Sequence, residues 1–379
     1  MLGGHSDKTA TDRDREVVHP LIDEQIIIRE AVNEIVDSTR LDTLRLLNEC
    51  TGSATPTQIA NHGSISRQTV SSHIADFLSV GVVNHNKETG AYWLTAGGLI
   101  VLNSTERCLD VITREELSSF TRSSPPIQLL RLLNTKPIDP PALSSKPDTP
   151  SQSTIWRTLQ TFAGSGWTEE RSGSHHLQPP GERALTAHEE LERMIEQCMK
   201  KAPFLQRLDP TLLAGSSPFP AHTLADAELV FSGPNSPGLV IEAALKLADP
   251  RIDYYRSLCS VYTPTLFKLY HKLVRLGMNG EGIIDASVHS EIIGNEDLHY
   301  LLDASQYTHY NLLQLEESLT LGIGLYDNQK VSIGAYNEVG EGQHVAVIIS
   351  SNEELIDWGR ETYNSYREQA ISTVVPISQ

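Results

Sequence analysis

The chain has 379 residues, 39% of them hydrophobic, and carries a formal net charge of −18. Such a length predicts two or three domains, and the apolar fraction is sufficient for packed cores. We expect a soluble, cytoplasmic protein with no membrane segment, because no apolar run approaches the roughly 18 residues that span a bilayer. The four cysteines are too far apart to indicate a disulfide framework or a zinc site.

Residues 1–30 start with a polar, charged stretch that has no signal-peptide core, and we predict a tail there. An internal duplication follows. The pentapeptide Leu44–Asn48 recurs as Leu130–Asn134, and each copy continues with apolar residues at helical spacing that precede Gly81 or Gly166. The duplication predicts two small α+β units, at residues 31–113 and 116–208.

Within the first copy the pattern predicts three helices and a two-stranded ribbon, which is the order of a winged helix-turn-helix. The helices are expected at Ser38–Glu49, Pro56–Asn61 and Ser66–Ser79, and the strands at Val82–Asn86 and Ala91–Leu94.

The third helix of this unit is a candidate for reading the major groove of duplex DNA. Its apolar stripe faces the core, so its polar side chains face outward; Arg suits guanine and Gln suits adenine. The ribbon tip suits contact with the DNA backbone or the minor groove, although all these residues also fit an ordinary solvated surface. The predicted DNA-binding residues are Ser66, Arg67, Gln68, Thr69, Ser71, Ser72, His85 and Lys87.

The second copy is a weaker candidate, because prolines between Pro140 and Pro147 shorten its second helix. Its outward residues Gln152, Ser153 and Arg157 offer a possible second DNA contact, and the sequence leaves open whether they touch DNA or the unit merely packs. The adjacent His175 and His176 lack further ligands at suitable spacing, so we predict no metal site. A long helix from residue 180 to about 208 suits a dimer seam or a strut.

Residues 209–222 read as a linker, and residues 223–379 alternate between strands and helices before a cluster of strands. These elements include a strand at Leu258–Tyr262, a helical stretch from Val288 to Leu302 and a hairpin turn at Asp327-Asn328. This order predicts a mixed sheet with flanking helices. The fold class is therefore α+β and multidomain: tandem winged helix-turn-helix units followed by an α/β mixed-sheet, sensor-like domain.

Loops at strand ends of such a domain can bind a ligand. The candidates there are Ser232, Gly233, Thr263, Asp285 and His289, each of which equally suits a turn or a helix cap. The pairs Gly280-x-Gly282 and Gly322-x-Gly324 lack the remaining features of a dinucleotide fingerprint. With no P-loop, Ser-His-Asp or zinc-hydrolase signature, we predict no enzyme, no catalytic residues and no cofactor.

The C-terminal sequence carries the runs Leu325–Asp327, Ile333–Tyr336 and Val347–Asn352, then Leu355, Trp358 and Tyr363. Together with the order of domains, these resemble the archaeal FilR-type regulators of methanogenesis. The C-terminal part is also similar to that of archaeal TrmB-like regulators, whose sensor domain resembles phospholipase D folds. The resemblance implies a sensor or dimerisation domain joined to a DNA reader.

Phospholipase chemistry does not follow from this resemblance, because that chemistry needs His-x-Lys and here His271 and Lys272 are adjacent.

The leading hypothesis is a transcription regulator that binds double-stranded DNA as a homodimer and responds to a small-molecule effector. Its acidic charge opposes DNA binding unless the acidity lies away from the DNA face, as in proteins of salt-loving archaea. Arg outnumbers Lys about two to one among the 30 basic residues, which fits that halophilic reading. The alternative is a protein-interaction module that uses its winged helices for docking without binding DNA.

Overall fold

The computed structural model describes residues 14–50, 52–145, 149–233, 235–294, 307–336 and 345–372. It divides into two units. The N-terminal unit takes most of the chain up to Lys200, and the C-terminal unit takes Lys201 onward together with residues 81–84 and 94–97. No helix in the described ranges is both long and apolar enough to cross a lipid bilayer.

The N-terminal unit begins with a β-hairpin and a helix. Strand β1 (Glu16–His19) pairs with β2 (Glu24–Ile27), and α1 (Ile28–Val36) follows directly. The tail predicted for residues 1–30 is therefore wrong from Glu16 onward. The reason is packing: Val17 and His19 alternate with exposed residues in β1 and are buried, and α1 packs against later helices of the unit. Residues 1–13 of the predicted tail lie outside the described residues.

The first copy of the duplication forms three helices and a two-stranded antiparallel sheet, as predicted. Local capping explains where two of the helices begin: Thr55 and Gln58 form a capping box, and Ser66 caps the third helix. The elements are α2 (Ser38–Glu49), α3 (Pro56–His62), α4 (Arg67–Ser79), β3 (Val83–His85), β4 (Tyr92–Leu94) and α5 (Ala96–Leu109).

The second copy repeats this order after the connecting helix α6 (Arg114–Thr121). Its second helix is only five residues long, because prolines bracket it as the sequence predicted. The elements are α7 (Ser124–Thr135), α8 (Pro140–Ser144), α9 (Gln152–Gly164), β5 (Thr168–Arg171), β6 (Ser174–Leu177) and α10 (Pro179–Lys200).

The duplication extends to an ion pair in each copy. The repeated pentapeptide places Arg45 and Arg131 at equivalent positions, and each guanidinium bonds a glutamate 61 residues later, Glu106 on α5 and Glu192 on α10. Both third helices also end before a glycine with positive φ. The two copies are thus built on the same internal contacts.

The C-terminal unit starts with the short helix α11 (Ala202–Leu205), and the segment predicted as a linker contains 3₁₀ turns at Pro210–Leu213 and Ala221–Asp226. An eight-stranded mixed sheet follows, in the order β14-β10-β9-β8-β11-β12-β13-β7. Its strands are β7 (Glu228–Phe231), β8 (Tyr254–Cys259), β9 (Asn279–Ile284), β10 (Tyr310–Gln314), β11 (Leu321–Tyr326), β12 (Lys330–Ala335), β13 (Ala346–Ser350) and β14 (Ile371–Ser372). Its helices are α12 (Leu239–Leu247), α13 (Pro264–Arg275), α14 (Ala286–Ile293) and α15 (Glu353–Arg367).

Only β8, β9 and β10 run parallel, and the remaining pairs are antiparallel. Asp327 and Asn328 both have positive φ in the turn between β11 and β12, which confirms the predicted hairpin. Two expectations need correction. Strand β8 starts at Tyr254 and ends at Cys259, four and three residues before the predicted limits of residues 258 and 262. The helix predicted to run to residue 302 ends at Ile293 in α14, and residues 295–306 lie outside the described residues.

Candidate functional sites

The N-terminal end of α4 is held by its own side chains. The Ser66 hydroxyl accepts a hydrogen bond from the Thr69 backbone N–H at 3.1 Å and lies 2.8 Å from the Thr69 hydroxyl. Two of the eight predicted DNA-binding residues are therefore engaged in capping the helix. Their contribution is to fix the direction of α4 and of the residues that follow.

The predicted outward face of α4 is exposed. Arg67, Gln68, Ser71 and Ser72 are all exposed, while the opposite face buries Val70, His73, Ile74 and Phe77 in the core of the unit. The side chains that suit base edges thus lie together on the first two turns, which is the part of such a helix that enters a major groove.

Some cations of this unit form ion pairs with carboxylates, and others do not. Arg40 pairs with Asp76 at 2.9 Å, Arg45 with Glu106 at 2.6 Å, and Arg114 with Asp42 at 2.9 Å. By contrast, the exposed Arg67 and Lys87 make no ion pair within the described part of the chain. These two cations are available to neutralise phosphates, although the chain as a whole is acidic.

The ribbon tip only partly matches the prediction. Lys87 is exposed there, and the Asn86 side chain accepts hydrogen bonds from the N–H groups of Glu88 and Thr89, which fixes the turn. The His85 ring is half-buried and stacks on Tyr92, with ring centroids 5.7 Å apart and planes inclined by 20°. His85 therefore supports the ribbon, and Lys87 is the better candidate for a DNA contact.

In the second copy, Gln152, Ser153 and Arg157 are exposed on α9. Arg157 also lines a polar groove of about 380 Å³ together with Arg122 and several hydroxyl side chains. The ring of His175 is buried against Trp156, with centroids 6.1 Å apart. Across the described ranges, no group of three or more His, Cys, Asp or Glu side chains is arranged to hold a metal.

Two of the five residues predicted to bind a ligand at strand ends form side-chain hydrogen bonds to the backbone. The fully buried Asp285 accepts hydrogen bonds from the N–H groups of Val288 and Leu319, both at 2.9 Å, and so caps α14. The Ser232 hydroxyl accepts from the Val240 N–H at 3.3 Å. None of the five predicted ligand residues, Ser232, Gly233, Thr263, Asp285 and His289, lines the mainly apolar cavity in this unit.

That cavity has a volume of about 160 Å³ and lies over the centre of the sheet, where α12 and α13 wall it. Its floor is a row of small residues, Gly282, Ser257, Gly324 and Ser332, which stand opposite one another on four adjacent strands. Small side chains in one row leave a depression in the sheet surface. The cavity is therefore a consequence of strand register.

Tyrosine hydroxyls lie close to the glycines of this floor. A methyl group at Gly282 would collide with the Tyr310 hydroxyl, and one at Gly324 would stand 2.7 Å from the Tyr326 hydroxyl. The rings of Tyr255 and Tyr270 stack, with centroids 4.5 Å apart. Long hydroxyl contacts of 3.4 Å join Tyr326 to Tyr270 and to Ser332. The glycines thus let phenol hydroxyls approach the sheet and line a mainly apolar space.

The lining is neutral. Among the described residues, no Asp, Glu, Lys or Arg side chain lines the cavity. Burial raises the pKa of Tyr255, Tyr270, Tyr310 and Tyr326, and it raises the pKa of the Cys259 thiol to about 12. These groups therefore stay uncharged at neutral pH. Sequence reasoning missed the cavity, although glycines two apart in a strand were its visible signal.

Comparison with known proteins identifies two parts of the chain. Residues 240–369 match the family of the methanogenesis regulatory protein FilR1, middle domain. Residues 114–200 match the HVO_A0261 N-terminal domain family. The resemblance of the C-terminal part to FilR-type regulators is thereby confirmed. No curated protein matches the chain.

Three solved structures are similar over different extents. TrmBL2, described as an archaeal chromatin protein with a novel mode of DNA binding, is 10% identical, with 90% of this chain and 99% of that chain covered. NucT from Helicobacter pylori is 13% identical and covers 38% of this chain and 98% of its own. The phospholipase D family member Nuc from Salmonella typhimurium is 15% identical and covers 38% and 97%. All three have a TM-score of 0.31, which does not establish a shared fold.

Proposed function

We propose that this chain, which contains a FilR1-type middle domain at residues 240–369, is a transcription regulator that binds double-stranded DNA through α4. The observation that carries the proposal is the exposed face of α4, where the side chains of Arg67 and Gln68 are exposed on the first turn. Arg pairs with guanine and Gln with adenine in the major groove. Lys87 at the ribbon tip would contact a phosphate.

The regulator is proposed to act as a homodimer, because one helix-turn-helix unit covers only a half-site. Its C-terminal unit is proposed to bind a small effector in the 160 Å³ cavity rather than to catalyse a reaction. The support for binding over catalysis is the lining itself, which is mainly apolar and offers hydroxyls and aromatic faces. Regulation of transcription fits the regulatory family that the cavity-bearing domain matches.

The test is fluorescence anisotropy with the duplex upstream of the protein's own coding sequence, against a scrambled duplex of equal length, at low and at molar salt. Arg67→Ala is expected to weaken specific binding by about 1–3 kcal/mol if it reads a guanine. Gln68→Ala is expected to relax the preference at one adenine position. Lys87→Ala is expected to weaken both duplexes equally, because phosphates carry no sequence information.

Arg107→Ala is the matched control, since it removes an exposed arginine from α5 of the same unit. It is expected to bind like the wild type. If Arg67→Ala and Gln68→Ala retain both affinity and preference, α4 is not the reader.

A protein-docking module is the second candidate, and the net charge of −18 favours it. Absence of any preference between the two duplexes at every salt concentration would support docking over DNA binding.

A further inference from the structure

We propose that the cavity of the C-terminal unit selects a neutral, single-ring aromatic molecule that carries a hydroxyl or carbonyl group. The inference rests on the proposed function only in that this molecule would be the effector. Binding itself is measured without DNA.

The size of the cavity limits the ligand. A cavity of roughly 150 Å³ lined by apolar side chains is known to stay dry and to accept benzene. The volume here is about 160 Å³, so a single substituted ring fits inside it, whereas a sugar phosphate or a nucleotide would protrude into solvent.

The lining of the cavity also limits the charge of the ligand. An ion in this cavity would leave water without meeting a counter-ion, because Asp, Glu, Lys and Arg are absent from the lining in the part of the chain described. The hydroxyls of Tyr310, Tyr326 and Ser332 line the cavity as uncharged donors and acceptors. A neutral molecule with one polar substituent matches this set.

The walls favour a flat molecule. The Tyr310 and Tyr326 hydroxyls lie against Gly282 and Gly324 of the floor, and the stacked rings of Tyr255 and Tyr270 stand beside them. Aromatic rings pack well against such faces.

Helix α12 forms one wall of the cavity and has apolar surface that a bound ligand would cover. It reads Leu-Val-Ile-Glu-Ala-Ala-Leu-Lys-Leu, and Ala244 and Leu247, which line the cavity, are only half-buried. A bound ring against α12 would bury more of this apolar helix, which is a source of binding free energy.

The experiment uses the full chain and three probes of nearly equal size: benzyl alcohol, benzoate and benzylammonium. Binding is followed by isothermal titration calorimetry and by the tyrosine signals of near-ultraviolet circular dichroism. Benzyl alcohol is expected to bind about tenfold or more tightly than either ion, because burying an uncompensated charge is costly. Equal binding of the ions, or no binding of any probe, would overturn the proposal and identify the cavity as a packing feature or a water site.

Two variants on α12 locate the binding. Ala244 lines the cavity and Ala243 does not, although both are half-buried. Ala244→Phe is expected to fill the space and abolish benzyl alcohol binding, whereas Ala243→Phe keeps it. Ala244→Leu gives a milder block if the larger side chain prevents folding. Retained binding in folded Ala244→Phe or Ala244→Leu would refute the assigned location.

A final arm separates this inference from the proposed function. Benzyl alcohol is added to the protein bound to its preferred duplex, and anisotropy reports any change in DNA affinity. If the probe binds and DNA affinity stays constant, the ligand class stands and effector control fails. If DNA binding itself fails, calorimetry with the probe still decides the ligand class.

Discussion

A buried histidine makes acid sensitivity of the N-terminal unit testable. His188 is fully buried on α10, and its ring meets the Phe120 ring edge-to-face with centroids 4.7 Å apart. Neither ring nitrogen has a hydrogen-bond partner within the described residues. The nearby Glu192 carboxylate is held by Arg131 at 2.8 Å. Burial, with the positive charges of Arg131 and Arg15, lowers the pKa of His188 from 6.5 to about 3.

The sign of the effect follows from proton uptake. The unfolded chain protonates this histidine near pH 6.5 and the folded chain only near pH 3, so acid favours unfolding between these values. Each pH unit in that window lowers the folding equilibrium constant about tenfold, or roughly 4 kcal/mol over three units. Burial raises the pKa of Glu192, which opposes the loss above the ordinary glutamate pKa. A variant is therefore needed to isolate the part that His188 contributes.

His188→Leu is expected to have nearly wild-type stability at pH 7.5, because it replaces a ring without hydrogen bonds by an apolar group. Urea unfolding followed by circular dichroism, repeated from pH 7.5 to 4.5, should show the wild type losing about 2–3 kcal/mol more than the variant. His62→Gln, on the exposed end of α3, is the control and should follow the wild type. Parallel curves for wild type and His188→Leu would refute the reasoning.

Three further predictions concern single residues. Gly280→Ala should destabilise the fold by about 1–3 kcal/mol or more in urea unfolding, because the added methyl group would collide with the backbone carbonyl of Tyr255 on the neighbouring strand. An unchanged midpoint would contradict this. Tyr363→Phe should cost about 1–3 kcal/mol, because its hydroxyl donates to the buried Glu281 carboxylate at 3.0 Å; a loss below a few tenths would argue against that bond. Cys50 should react first with a disulfide reagent at pH 8, since burial raises the pKa of the other three thiols to about 12, and mass spectrometry identifies the labelled site.

Local chemistry explains why much of the N-terminal unit was predictable. Ser66 caps α4 and a glycine with positive φ follows it, and both signals lie within the segment they control. The repeated pentapeptide was visible for the same reason. What the repeat could not reveal is that Arg45 and Arg131 each bind a glutamate 61 residues later, because that contact depends on how distant helices pack.

The cavity of the C-terminal unit could not be predicted from the sequence, for a topological reason. The strand-end rule holds for parallel sheets, where loops converge at one edge. Here only β8, β9 and β10 are parallel, and the cavity opens on the face of the sheet. Its floor exists because Gly282 and Gly324 fall into one row through pairings between strands far apart in sequence. The local sequence pattern does not reveal the register between strands that are far apart in the chain.

The distribution of charge also decides how DNA binding should respond to salt. Each neutralised phosphate contributes a slope of about −0.9 in the logarithm of affinity against the logarithm of salt concentration. The arginines Arg40, Arg45 and Arg114 are tied to carboxylates, which leaves Arg67 and Lys87 as the exposed candidates on α4 and the ribbon. Two phosphate contacts per protomer predict a slope near −2 per protomer, or about a tenfold loss of affinity between 50 and 200 mM salt. If Arg67 reads a base, the slope is shallower still. Anisotropy titrations across salt measure it, and a slope steeper than about −6 per protomer would mean that cations outside this surface carry the binding. A shallow slope would reconcile DNA binding with an acidic chain, because such an interface depends little on phosphate attraction and keeps its affinity where salt is high.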